Sequence, residues 1–179
     1  MRDLQKGALE GVTLDRAVRA EVGLLENLLA LYMHDLSAAF PFIELGADGR
    51  FVYPKLDLYW SEPERRFPYL IRRNARPVGF ALATRGSPVT TDPDVFDVSE
   101  FFVIRSVRRS GIGQRAAQLL WQTFPGPWTV RASEGNPGAV PFWARAVAEF
   151  SGGRATESSR SGTPHAWRVF SFRAESPTS

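Results

Sequence analysis

The sequence predicts an α+β fold, a mixed sheet with helices packed on it, and three observations carry that expectation. Strand-like and helix-like patterns follow one another in the order β-α-β-β-β-α-β-α-β. The stretch from Phe96 to Phe124 opens as a Phe/Val/Ile-rich strand and passes through a turn holding Gly111 and Gly113. It then becomes a helix with Ile112, Ala116, Leu119, Leu120 and Phe124 at helical spacing. Finally, 179 residues, 44% of them hydrophobic, suit one domain with a real core. That domain is expected over residues 1–174, with Glu175 to Ser179 as a flexible tail.

Each element has its own signal. Val12 to Glu21 alternates in part and reads as an edge strand. Val22 to Phe40 reads as a helix, with Leu24, Leu25, Leu28, Leu31, Tyr32 and Leu36 in one stripe and Pro41 as its stop. His34-Asp35 near its end is either a catalytic pair or a polar corner. Phe42 to Arg66 is irregular, punctuated by Gly46, Gly49, Pro54 and Pro63, with one helical turn at Leu56 to Trp60. Tyr69 to Arg73, a turn at Asn74-Ala75, and Pro77 to Thr84 form a hairpin. Gly79 in its second strand marks a bulge or a close backbone approach.

A breaker-rich loop, Gly86 to Asp94, leads into the central strand, Phe96 to Ile104. Pro125-Gly126-Pro127 stops the following helix, and Trp128 to Ala132 is a short strand. After a loop at Glu134 to Pro137, Ala139 to Phe150 is a helix with Val140, Trp143, Val147 and Phe150 on one face, closed by Gly152-Gly153. His165 to Phe172 alternates as the final strand, with room for one more strand near Arg154.

Composition excludes several classes. No apolar run reaches membrane length and the N-terminus lacks a signal-like apolar core, so a soluble cytoplasmic protein is expected. The absence of cysteine removes disulfides, thiolate metal sites and a cysteine acyl-enzyme. With His34 and His165 the only histidines, no metal is expected. The net charge of +3 is small, and the one dense basic cluster is Arg105, Arg108, Arg109 and Arg115. A phosphorylated cofactor accounts for that cluster, and no nucleic-acid partner is expected.

The turn itself is a ready anion site. The first N–H groups of the helix lack partners, the dipole adds positive potential, and glycine lets a phosphate approach the backbone. It is neither G-x-G-x-x-G nor G-K-[S/T]. Arg108-x-x-Gly111-x-Gly113 after a strand instead resembles the pyrophosphate loop of the GNAT acyltransferases, and E-F-F-V-I-R-S-V-R-R-S-G-I-G is similar to that family's core strand and loop. The element order is also that of the family. Y-x-x-D-L-S from Tyr32 and Y-P-x-L-D-L-Y-W from Tyr53 are similar to a small group of predicted acetyltransferases within it.

The resemblance implies a mostly antiparallel sheet that splays between its fourth and fifth strands, here Phe96–Ile104 and Trp128–Ala132. It implies acetyl-CoA as cofactor, the pyrophosphate on the backbone of Arg108, Arg109, Ser110, Gly111, Ile112, Gly113 and Gln114, and the pantetheine arm along Phe101, Phe102, Val103, Ile104 and Arg105. Asn136, Phe142 and Trp143 complete the cofactor side, with Asn136 either bonding the arm or capping the helix. A backbone N–H near Phe101 or Phe102 would polarise the thioester carbonyl. Strand alternation sets Glu100, Phe102 and Ile104 on one face and Asp97 on the other. Glu100 is the candidate catalytic residue, as base or as positioner of a cationic amine, or else it lies outside the chemistry.

Tyr32, Tyr53, Tyr59 and Trp60 either face the acceptor or pack the lid. Trp143 stands where relatives carry the tyrosine that protonates the leaving thiolate, and indole N–H has no proton to give away. The acid is then dispensed with or supplied by a group such as Tyr59 or Tyr53. The expected reaction is transfer of an acetyl group to a small-molecule or peptide amine by direct attack, in a monomer or a homodimer. The alternative is a silent acyl-CoA-binding domain.

Overall fold

A computed structural model of the chain describes residues 9–163 and 165–176. One seven-stranded sheet runs in the order β1-β2-β3-β4-β5-β7-β6. Its strands are β1 (Val12–Arg16), β2 (Arg66–Arg73), β3 (Arg76–Arg85), β4 (Phe96–Val103), β5 (Gly126–Ser133), β6 (Thr156–Arg160) and β7 (Trp167–Ala174). The helices are α1 (Val22–Ser37), α2 (Leu58–Ser61), α3 (Ile112–Thr123) and α4 (Ala139–Ser151). All neighbouring strands are antiparallel except the parallel pair β4–β5, so the sheet is mixed and mostly antiparallel. Among the described residues no helix is long and apolar enough to cross a membrane.

Both faces of the sheet are covered. Ala117, Leu120 and Trp121 of α3 and Trp143, Ala146 and Val147 of α4 bury against Ala81, Ala83, Val98, Trp128, Val130 and Phe170. On the opposite face Leu25, Leu28 and Leu29 of α1 and Tyr59 of α2 meet Leu70, Phe80, Leu82 and Phe102. Leu31, expected in the α1 stripe, is 51% exposed, whereas Leu29 is buried. The helical period explains the exchange: at about 100° per residue Leu25, Leu28, Leu29 and Tyr32 fall within one arc of about 100°, and Leu31 lies about 60° beyond its edge at Leu28.

Element ends also differ from expectation. β1 stops at Arg16 and Arg19–Glu21 forms a 3₁₀ turn, where the Glu21 carboxylate accepts the Val18 N–H at 3.1 Å. α1 ends at Ser37, before Pro41, and the Leu36 carbonyl accepts the N–H groups of both Ala39 and Phe40. The strand near Arg154 exists as β6, paired along β7. Of the expected tail, Glu175 pairs with Arg154 at 2.9 Å, and residues 177–179 lie outside the described residues.

Two features of the sheet shape the site. β4 and β5 pair only from Phe96↔Trp128 to Val98↔Val130 and then part. The register of β3 against β4 also slips, from Leu82↔Glu100 to Ala83↔Val98, which leaves Ser99 as an extra residue in β4. A second slip, between Ile71↔Gly79 and Arg72↔Pro77, adds Val78 to β3. A Cβ on Gly79 would lie 2.1 Å from the Phe102 carbonyl oxygen, so this close approach admits glycine alone.

Candidate functional site

The bulge at Ser99 decides which side chains meet. Residues directly opposite in an antiparallel pair point to the same face. Asp97 faces Thr84, Glu100 faces Leu82 and Phe102 faces Phe80, and these three β3 residues alternate along one face. Asp97 and Glu100 therefore share the α1 face. This corrects the simple alternation, which sets them on opposite faces and makes no allowance for an inserted residue.

On that face Glu100 accepts hydrogen bonds from Tyr32 Oη at 2.6 Å and Tyr53 Oη at 3.1 Å. Burial pushes the Glu100 carboxyl above its ordinary value, and the two tyrosine donors partly oppose that shift. Burial likewise raises Tyr32 and Tyr53, and the neighbouring Glu100 charge adds to it. Tyr59 is pushed up to about 12, chiefly by burial, and Ser99 and Arg66 lie near enough to its hydroxyl to oppose that shift, although neither meets hydrogen-bond geometry. Asp97 is fully buried and takes the Arg131 guanidinium at 2.8 Å, Thr129 Oγ1 at 2.7 Å and Ser87 Oγ at 2.6 Å.

Glu100, its tyrosine neighbours, Arg131 and Ser87 line one cavity of about 1030 Å³, with Asp97 buried behind it. Tyr32, Tyr53, Tyr59, Glu100 and Arg131 reach it from the α1 face, and Phe101, Asn136 and Trp143 border it at the gap between β4 and β5. Trp60 does not line it. One position along a helical turn rotates a side chain by about 100°, and Trp60 lies instead beneath the Arg19 guanidinium, 5.2 Å from its ring centroid.

The loop after β4 is arranged around helix α3. Arg109 (φ 62) and Gly111 (φ 87) are both left-handed, and Gly111 is the N-cap residue. Among the described residues, the backbone N–H groups of Arg109 to Gln114 meet no backbone acceptor, while the Arg115 N–H bonds the Gly111 carbonyl at 3.0 Å. An αL glycine and a row of unpaired N–H groups at a helix start form a cradle that suits a phosphate. Ser110 Oγ donates to the Val107 carbonyl, and Ile112 is fully buried in the core. A Cβ on Gly113 would stand 3.3 Å from the Phe142 ring, so this glycine also serves packing.

Not every arginine of the cluster is available to a ligand. Arg108 donates to the Val103 carbonyl at 2.7 Å, and both Arg105 and Arg108 hold Asp35, at 2.9 and 2.5 Å. His34-Asp35 is thus a polar corner with Asp35 as its anchor. Gln114 binds Glu149. Asn136 Oδ1 accepts the Gly138 N–H at 3.3 Å and its carbonyl accepts the Ala139 N–H at 3.0 Å, which tightens the turn before α4, whose N-cap residue is Gly138.

The gap-facing edge of β4 is open. The Ile104 N–H donates to the Val78 carbonyl at 2.9 Å, toward β3. Backbone groups alternate sides along a strand, so the N–H groups of Phe101 and Val103 face the gap. Trp143 is buried at 6% exposure, with its ring 5.0 Å from Phe101 and 4.7 Å from Phe142. Arg131 was not singled out in the sequence and Asp97 was set on the far face of the strand, although an arginine one residue before Ala132 in a buried strand was a visible signal. Among the described residues no cluster of His, Cys, Asp or Glu could hold a metal ion.

Residues 28–147 match the model of the acetyltransferase (GNAT) family. No curated protein matches the sequence. Solved structures of similar fold include a ribosomal L7/L12 α-N-protein acetyltransferase, RimL, in complex with coenzyme A (TM-score 0.63, 12% identity, covering 93% of this chain and 96% of that one). They also include AAC(6')-Ib in complex with ribostamycin and coenzyme A (TM-score 0.62, 15% identity, covering 92% and 94%). A third is spermidine N-acetyltransferase from Vibrio cholerae in complex with coenzyme A and spermine (TM-score 0.60, 11% identity, covering 92% and 96%).

Proposed function

Because the chain belongs to the acetyltransferase (GNAT) family, we propose that it is an acetyl-CoA-dependent N-acetyltransferase whose acceptor amine docks at Glu100. The observation that carries this reading is the position of Glu100. It lies past the last β4–β5 pair, on the cavity side, with Tyr32 and Tyr53 donating to its two oxygens.

The residues present fit the cofactor. The unpaired N–H groups from Arg109 to Gln114 would hold its pyrophosphate, and the free edge of β4 at Phe101 and Val103 would pair with its amide-containing arm as a strand does. When bound, acetyl-CoA supplies an acetyl group activated as a thioester. The Phe101 N–H, aimed into the gap, is placed to donate to an oxygen there. Glu100 Oε1 and Oε2 face the cavity and would accept a proton from the acceptor nitrogen, directly or through water. The raised Glu100 pKa suits that task, because a base works best when its pKa lies near the operating pH. Tyr32 and Tyr53 fix the carboxylate in place and exclude water from its sides. The small-molecule complexes of the structural neighbours support an amine as acceptor.

A second reading, a silent acyl-CoA-binding domain, is favoured by Trp143, whose packed indole offers no proton to a leaving thiolate. Thiol release from acetyl-CoA across a panel of amines separates the two. Amine-dependent release is expected. Tight coenzyme A binding with no release above hydrolysis for any amine would leave the binding domain as the function.

A further inference from the structure

The charges left over after internal pairing identify the class of acceptor, an inference that rests on the transferase reading above. Of the cations lining the cavity, Arg66 is spent on Glu62 at 2.7 Å, Arg85 on Asp94 at 2.5 Å and Arg131 on Asp97 at 2.8 Å. Lys55 and Arg65 line the cavity from exposed positions, and neither side chain meets an ion-pair or hydrogen-bond partner among the described residues. Of the acids lining it, Glu62 belongs to Arg66, and the exposed Asp92 accepts the Asp94 N–H at 2.9 Å and has no ion pair among the described residues. Glu100 is then the carboxylate left facing the interior, with hydrogen bonds from two neutral hydroxyls and no ion pair. Of the charges that act on Glu100, Arg131 comes first and Lys55 second, so Lys55 is within electrostatic reach of the carboxylate.

Between them the wall is aromatic, formed by Tyr32, Tyr53, Tyr59 and Phe40. One interior carboxylate, two exposed unpaired cations and an apolar wall are complementary to a zwitterion with an apolar body. We propose that the acceptor is an amine that also carries a carboxylate, of the amino-acid class. Its nitrogen is held at Glu100 and its carboxylate at Lys55 and Arg65. A polyamine is disfavoured by the same arrangement, because its second ammonium meets two exposed cations, Lys55 and Arg65, against one exposed acid without an ion pair, Asp92.

The experiment uses the full chain and two independent readouts. Calorimetry measures binding of L-phenylalanine, L-leucine and γ-aminobutyrate, each against its own amide, with spermine as the polycation. Thiol release from acetyl-CoA is followed with the same compounds. At least one acid is expected to bind roughly tenfold tighter than its amide, the effect of about 1.4 kcal/mol. The Lys55→Glu, Arg65→Glu double variant changes two exposed positions and is expected to erase or reverse that preference while leaving coenzyme A affinity unchanged. Amides or spermine binding as tightly as the acids, or no binding by any of the compounds, overturns the proposal. A charge-dependent preference for an acid without thiol release from any compound upholds the zwitterion site and counts against the transferase reading.

Discussion

Asp97 and Glu100 sit on the same face of β4, and the residue that brings them there is Ser99. Without that inserted residue, one of the two carboxylates would turn into the α3–α4 core, where no cation is available to it. The bulge lets one short strand carry two acids with different duties. Asp97 is fully buried and holds Arg131, Thr129 and Ser87 together. Glu100 stays open to the cavity.

Glu100→Gln should lower kcat/KM by roughly the 10²–10⁴-fold that a general base contributes, with coenzyme A affinity unchanged. In the wild type the rate should rise with pH through a pKa above the ordinary carboxylate range, because burial favours the protonated form. The variant should lose that limb. Stability follows the opposite sign. The raised folded-state pKa favours folding at low pH, and that contribution is lost as pH climbs through it. A loss of less than about threefold, well below the contribution expected of a base, would remove Glu100 from the chemistry.

Gly113→Asp places a carboxylate at the start of α3, where a pyrophosphate is expected. Coenzyme A affinity should fall by about tenfold or more, since about 1.4 kcal/mol suffices. Gly113→Ala is the control for packing, because its Cβ meets Phe142 at 3.3 Å in either variant. Equal affinity in folded Gly113→Asp and Gly113→Ala proteins would refute the loop assignment.

Trp143 is a core residue as well as a cavity wall. Trp143→Tyr puts a phenol where the sequence resemblance expects an acid but empties part of a ring cluster with Phe101, Phe142 and Trp121. The expected outcome is a stability loss of about 1–3 kcal/mol, with kcat per folded molecule unchanged or raised. Denaturant melts and single-turnover rates read the two effects separately.

Tyr59→Phe should leave stability unchanged or raise it by about 1 kcal/mol, because the hydroxyl it removes is buried without a partner. If that hydroxyl contacts the acceptor, the same variant raises the acceptor KM and leaves kcat alone.

Ala75→Gly should stabilise the fold by about 0.5–1 kcal/mol. Ala75 sits at φ 64 beside Asn74 at φ 49, the backbone of a tight hairpin turn in which glycine relieves the strain on the second residue. A chemical melt checks it, and a lower midpoint contradicts it.

Much of this architecture was legible because it follows from local periodicity. The β4–turn–α3 unit, the α1 helix and the hairpin at Asn74 each announce themselves within about ten to twenty residues, the scale of single elements. Gly79 announced a close approach, and the 2.1 Å gap to the Phe102 oxygen explains why. The bulge at Ser99 was hidden, since nothing in S-E-F-F marks an extra residue and its existence depends on how β3 aligns. The pairing of Arg131 with Asp97 was hidden for the same reason, because it joins strands 34 residues apart. Of the four acceptor-side candidates Tyr32, Tyr53, Tyr59 and Trp60, only helix orientation could tell that Tyr59 lines the cavity and Trp60 does not.

Helix α1 carries Tyr32 and Asp35 on adjacent positions of one face, about 4.5 Å apart along its axis. The first holds Glu100, and the second holds Arg105 and Arg108 at the entrance to the phosphate loop. The helix is thus a common hinge pin for two binding regions that the chain otherwise makes separately. Moving α1 outward to enlarge this cavity should loosen the loop before α3, the proposed cofactor loop, because Asp35 moves with the helix. Trimming side chains such as Tyr53 from the Phe42–Arg66 segment enlarges the same space and leaves that pin in place.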